Sequence, residues 1–214
     1  MTADDIARFL RTHPHFFDQH PDLLESLHVP HPYGGRAIPL AERQTVALRE
    51  KLRLLEGKLA EIVKFAEEND AISEKVHRLS VALAGARDFP ALAHSLYFHL
   101  REDFAVPHVA LRVWGKSVPV DFQEADPVSD EQKTRAEAMG APQCGPAAGN
   151  PFAPWFREAA EHVRSVALVP LGQTAVFGLL ALGSEDPKRF YPEMGTLYLR
   201  RIGELCAAGV TARL

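Results

Sequence analysis

Between Leu40 and Ala84 the chain contains no proline and a single glycine, Gly57, and it is built largely from Leu, Glu, Lys, Arg and Ala. Such residues lose little side-chain freedom in a helix, and nothing in the run breaks the backbone ladder, so residues 40–85 read as one long helix. Apolar side chains fall at Leu48, Leu52, Leu55, Leu59 and Ile62, then at Phe65, Ile72, Val76, Leu79 and Leu83, with Asn69 where the next seam position falls. Alternating steps of three and four trace a coiled-coil seam, and the extra three-residue step from Ile62 to Phe65 overwinds it locally. At ~1.5 Å per residue this helix is about 67 Å long, more than the width of any domain the remaining residues can build. Part of the seam must therefore be covered by another chain. A homodimer is expected, with Leu48, Leu52, Leu55, Leu59, Ile62, Asn69 and Val76 at its interface and the polar Asn69 fixing register at some cost in stability.

The flanking sequence differs in texture on the two sides of this helix. Residues 1–39 carry short apolar clusters separated by prolines: Ile6, Phe9 and Leu10; Phe16 and Phe17; Leu23, Leu24 and Leu27. Thr2 or Asp4 can cap a first helix that Pro14 ends, and Pro21 starts another that Pro30 closes. The segment is too poor in apolar residues to fold alone, and reads as a small helical appendage. Its acidic start, Met1-Thr2-Ala3-Asp4-Asp5, has neither the basic flank nor the apolar core of a signal peptide.

Residues 86–214 carry the material for a globular domain. Asp88 and Pro90 open a helix with Leu92, Leu96 and Leu100 on one face. His108 to Trp114 is a strand, with residues 117–122 as its expected partner across Gly115-Lys116. A surface helix over residues 129–139, a Gly- and Pro-rich loop over 144–154 and a short aromatic helix over 152–162 follow. Strands at 165–171 and 175–183 flank a tight turn at Gly172, and a last helix over 192–213 carries Leu199, Ile202, Cys206 and Val210. Strands mixed irregularly with helices indicate an α+β domain with an antiparallel sheet.

Composition excludes several roles. With 24 basic and 28 acidic side chains the net charge is -4, so the broad positive field of a nucleic-acid binder is missing, and no direct nucleic-acid contact is expected. Arg43, Arg49, Lys51, Arg53 and Lys58 are interleaved with Glu42, Glu50 and Glu56, as on an ion-paired helix surface. Two cysteines fit neither a disulfide framework nor a cysteine zinc site and suit a cytoplasmic setting. The most apolar stretch, 165–183, is broken by Pro170 and Gly172 and is no membrane span. The pairs His13/His15 and His28/His31 lack helical i, i+4 spacing and attendant carboxylates, so no metal is expected; no nucleotide-binding glycine loop or Ser-His-Asp motif occurs, and no cofactor is expected.

Several motifs together resemble a bacterial family, domain of unknown function 484. They are His13-Pro14-His15-Phe16-Phe17, Pro21-Asp22-Leu23-Leu24, His28-Val29-Pro30-His31, Leu40-Ala41-Glu42-Arg43-Gln44, Pro142-Gln143-Cys144-Gly145 and Leu180-Ala181-Leu182-Gly183-Ser184. The last of these, with Ser165 to Leu171 before it and Arg189-Phe190 after it, is similar to the end of a GAF domain. The resemblance implies a helical N-terminus, a long helix and a GAF-like domain whose sheet packs helices on one face and closes a pocket on the other. It implies no activity; genes of the family often lie beside one for a tyrosine site-specific recombinase, which points toward a partner or pathway.

Placed in that fold, strand alternation turns Val109, Leu111 and Val113 toward the helices and Ala110, Arg112 and Trp114 toward the pocket. Arg112 can pair an anionic ligand group and Trp114 can stack on a ring; the competing reading is an internally salt-bridged Arg and a packing Trp. Phe122, Cys144, Phe152, Trp155 and Phe156 complete the candidate pocket, or serve only to keep a lid folded. Cys144 lies in a loop, so a thiol or redox role stays open, although no nearby positive charge lowers its pKa. Cys206 reads as core, and two separated cysteines do not supply the methionine-sulfoxide-reducing chemistry of some GAF-like enzymes. The function expected is a non-enzymatic, homodimeric sensory or scaffold module binding a small molecule, a protein partner or both. A pure adaptor with a self-filled pocket is the alternative.

Overall fold

The computed structural model describes residues 2–26, 28–29, 38–115, 118, 121–172 and 174–214. Two compact units divide the chain, residues 1–67 and residues 68–214.

In the first unit, α1 (Ala3–Thr12) begins at a reciprocal cap: Thr2 Oγ1 accepts from the Asp5 amide at 3.3 Å, and Asp5 Oδ2 accepts from the Thr2 amide at 2.8 Å. Of the two expected caps, Thr2 is the one used. Two short helices, α2 (Phe16–Gln19) and α3 (Pro21–Ser26), precede an antiparallel pair of two-residue strands, β1 (His28–Val29) and β2 (Ile38–Pro39). Pro30 and His31, named in the sequence reading, lie outside the described residues. So do residues 116, 117, 119 and 120 of the second unit, and with them most of the strand expected at 117–122. Helix α4 runs unbroken from Leu40 to Gly85, and its residues 43–67 are exposed.

The second unit begins inside α4. Helix α5 (Phe89–Glu102) is capped by Asp88, whose side chain accepts from the Ala91 amide at 2.8 Å. The sheet has the order β3-β6-β5-β4, every pair antiparallel: β3 (His108–Val113), β4 (Gln143–Pro146), β5 (Ser165–Leu171) and β6 (Gly178–Ser184). Strand β3 thus finds its partner in β6, with Leu111 opposite Leu180, while Asp121 and Phe122 form a turn and a bend. The β5–β6 connection is longer than expected because Gly172, at φ +118°, turns the chain where a Cβ would meet the Ala175 carbonyl. Helix α6 (Asp130–Glu137) and 3-10 segments at Gln123–Ala125 and Ala153–Glu161 lie between the strands, and α7 (Leu197–Thr211) closes the chain, starting later than the sequence indicates.

Both sheet faces are buried. On one, Leu79 and Leu83 of α4, Leu92, Leu96 and Leu100 of α5, and Ile202, Cys206 and Val210 of α7 cover Val109, Leu111, Val169 and Leu180. The seam of α4 therefore divides. Val76, placed by the sequence against a second chain, packs on this core, because the inward turn of the stripe at Leu79 and Leu83 carries it there. Leu48, Leu52, Leu55, Leu59 and Ile62 stay 52–66% exposed. On the opposite face Ala136, Met139, Phe152, Trp155, Phe156 and Val163 cover Ala110, Val166, Leu168, Leu179 and Ala181. This α+β arrangement, an antiparallel sheet with helices on one face and a long helix preceding it, is the expected fold class.

Candidate functional site

The face covered by α6 and the second 3-10 segment is where strand alternation sends Arg112, and the side chain is there, 5% exposed. A buried guanidinium needs partners for its donors. Nη1 donates to the Leu111 carbonyl at 2.8 Å and Nη2 to Asp126 Oδ2 at 3.0 Å, while the group stands 5.6 Å from the centre of the Trp155 ring. Burial pushes the Arg112 pKa down, opposed by the charge of Asp126. The same carboxylate oxygen accepts from Arg157 Nη2 at 2.9 Å, so one acid ties the sheet to the covering segment. Arg157 holds φ +53°, the break between two short 3-10 turns, a backbone state that costs a non-glycine residue about 1 kcal/mol or more.

Trp114 packs against the same cluster, and its Nε1–H is buried with no acceptor among the described residues. Phe152 is fully buried and meets Trp155 edge-to-face at 5.0 Å. Phe156 approaches Gly183 so closely that a Cβ there would lie 3.0 Å from the ring. Arg112, Trp114, Phe152, Trp155 and Phe156 are therefore one cluster.

Phe122 and Cys144 are not part of it. Phe122 stands edge-to-face with Phe89 at 6.2 Å, on the helix side of the sheet. Cys144, expected in a loop, lies in edge strand β4 opposite Ala167, and packs toward the helix-side core; the backbone of Gln143–Pro146 extends because β5 offers it a ladder partner. Burial raises the Cys144 thiol pKa, the opposite of what a reactive thiol needs. Cys206 is fully buried and its thiol is pushed up to about 12.

Two polar contacts beneath this cluster have no local sequence signal. Tyr97 Oη donates to Glu124 Oε1 at 2.6 Å, and Glu124 is 2% exposed. Burial and the Glu124 charge push the Tyr97 pKa far upward. Asp126 and Glu124 sit in an irregular segment without periodicity, and Arg157 lies 31 residues from its partner, so only tertiary contact brings them together.

Cavities lie elsewhere in the unit. One of about 790 Å³ lies along α7 beside Pro170, Phe177, Gly203 and Ala207. Another of about 390 Å³ is lined by Ile72, Lys75, Leu100, Phe190 and Tyr198. A cleft of about 350 Å³ beside Trp155 and Arg157 reaches Arg101, His108 and Gln123 at the margin of the cluster. Neither Arg112 nor Trp114 lines any of the three. His13 and His15 serve local geometry: His13 Nδ1 is 3.0 Å from the Phe9 carbonyl, and His15 Nδ1 is 2.9 Å from Asp18 Oδ2. No three metal-ligating side chains converge among the described residues, and no helix there is long and apolar enough to cross a membrane.

These features define an α+β module with one sheet face under helices and the other under an aromatic, arginine-latched cover. The chain belongs to the family described as protein of unknown function DUF484, which matches residues 1–211. Similar curated proteins are the uncharacterized protein YigA of Salmonella typhimurium, 25% identical, and that of Escherichia coli, 24% identical, each match covering 92% of this chain and 86% of the relative. Among solved structures the chain is similar to the A. aeolicus nlh2 GAF domain, at TM-score 0.48 and 14% identity over 68% of this chain and 99% of that one. It is also similar to the free methionine-R-sulfoxide reductase of Neisseria meningitidis, at TM-score 0.45 and 19% identity over 66% and 89%.

Proposed function

We propose that this protein is a non-enzymatic, GAF-like scaffold module that dimerises through α4 and presents its domain to a protein partner. The observation carrying this reading is the stripe Leu48, Leu52, Leu55, Leu59 and Ile62, five large apolar side chains each more than half exposed on one helix. Burying the remainder of each stabilises by about 1 kcal/mol, so a pair of stripes contributes about 10 kcal/mol against an association cost of ~4–15 kcal/mol. The stripes thus supply a favourable term of the size that association has to offset. The filled cover over Arg112 supports the adaptor form of this reading, since that guanidinium already has its carboxylate in Asp126. Light scattering of the full chain at micromolar concentration should report a dimer, and Leu55→Asp a monomer. A monomer for the unaltered chain overturns the reading.

A second reading is favoured by the acceptorless Trp114 N–H beside Arg112: a small anionic ligand takes the place of Asp126 and signals through the sheet to α5 and α7. Native mass spectrometry of freshly purified protein should then retain a small molecule, lost in Arg112→Ala and Trp114→Ala. Equal spectra for all three proteins would refute it.

A further inference from the structure

The apolar stripe of α4 carries charges on its two flanks that are not equivalent, and their order distinguishes the ways two copies can pair. With Leu52 and Leu59 at the first apolar heptad position and Leu48, Leu55 and Ile62 at the fourth, Lys51 and Lys58 flank the stripe on one side, and Arg49, Glu56 and Val63 on the other. Neither Lys51 nor Glu56 has an ion-pair partner among the described residues, and residues 43–67 are exposed. Their charges are therefore free to act between chains.

Resting on the dimer reading above, we infer that α4 pairs with α4 of a second copy in parallel and in register, with Lys51 of each chain facing Glu56 of the other. In a parallel pair, the flanking residue before one apolar layer meets the opposite flank five residues further along the second helix, which joins Lys51 to Glu56 twice by symmetry. The next such pair, Lys58 with Val63, is neutral. Reversing one helix sets each flank against itself: Arg49 then faces Glu56 twice, which attracts, but Lys51 faces Lys58 twice, which repels, so the charges cancel, whereas the parallel pair keeps two uncompensated attractions. Parallel, in-register pairing also keeps all five apolar positions opposite their own counterparts, and both chains leave this segment at the same end. The occupant of the stripe is thus a second copy of this chain, and its orientation is chosen by charge.

Disulfide trapping tests the arrangement in the full-length protein carrying Cys144→Ser, with the buried Cys206 retained. Leu48→Cys and Leu59→Cys should each form a covalent homodimer under mild oxidation, because corresponding apolar positions of a parallel pair lie within disulfide reach. A mixture of the two variants, one tagged, should yield no 48–59 cross-link, the pair that a reversed helix would bring face to face. Separately, Glu56→Lys should weaken dimerisation about tenfold at low salt, and adding Lys51→Glu to it should restore the original affinity. A monomeric unaltered chain overturns the dimer reading and this inference together. A dimer that gives the 48–59 cross-link, or whose affinity ignores both charge variants, overturns the inference alone.

Discussion

The Arg213 guanidinium donates to the Ala86 carbonyl twice, from Nη2 at 2.6 Å and from Nε at 3.0 Å. The same side chain reaches the Leu83 carbonyl at 2.9 Å and the Ala84 carbonyl at 3.2 Å. These are the last carbonyls of α4 and its exit, groups a helix leaves without internal partners and where a cation is favoured by the helix dipole. Arg213, two residues beyond the end of α7, thereby closes the long helix.

Arg213→Ala should lower unfolding stability by about 1–3 kcal/mol, since several carbonyls lose a charged donor at once. Arg213→Lys should recover only part of it, because a single ammonium cannot span the same carbonyls in the guanidinium's planar geometry. Urea titration of the three proteins measures the difference; an unchanged midpoint in Arg213→Ala would show the clamp to be inert.

Arg112 and Arg157 share one carboxylate oxygen but should respond differently to truncation. Arg112 is buried, so Arg112→Ala strands the Leu111 carbonyl and loses packing against Trp155, costing about 3 kcal/mol. The Arg157 side chain is 60% exposed, and Arg157→Ala should cost less than about 1 kcal/mol. Denaturant midpoints for the two variants test the order, and equal losses would contradict it.

Tyr97→Phe should destabilise by about 1–3 kcal/mol, because Glu124 remains buried after its short hydrogen bond is removed. The double variant Tyr97→Phe/Glu124→Leu should recover part of this loss, as both polar partners are then gone. A double-mutant cycle by thermal unfolding reads the coupling.

The two thiols should react slowly with iodoacetamide at pH 8: Cys144 more slowly than a free cysteine, and Cys206 only after denaturation. Peptide mass spectrometry resolves the two sites. Because the folded-state Cys206 pKa of about 12 lies above its unfolded value, the unfolded chain loses that proton first. This thiol's stabilising contribution is therefore complete below about pH 9 and falls as pH rises toward 12. Cys206→Ala should lack that part of the alkaline slope. Rapid native labelling of Cys144 would instead revive a thiol role.

Much of the architecture was legible before any coordinates because it rests on short-range periodicity. The proline-free run gave α4, Asp88 gave the start of α5, and alternation along His108–Val113 assigned Leu111 to one sheet face and Arg112 to the other. The candidate site was legible only in part. Alternation placed Arg112 and Trp114, yet it gave no warning that Asp126 and Arg157 would meet there, nor that Phe122 would turn to the helix side against Phe89.

By itself the sequence determined the long helix, the alternating faces of the strands, the buried place of Cys206 and the family. The helix, the strand faces and the place of Cys206 follow from spacings of two, three or four residues, which local backbone geometry converts directly into faces, and the family follows from its motifs. Tertiary structure alone decided the rest. Cys144 became an edge-strand residue because β5 offered it hydrogen-bond partners, and Arg112 received an internal carboxylate because the cover folds across it. The α4 stripe was divided at the point where α5 and α7 reach it, with Val76, Leu79 and Leu83 drawn into the core while Leu48 through Ile62 stayed outside. A continuous apolar stripe encodes that something will cover it, and only the packed chain shows which part it covers for itself.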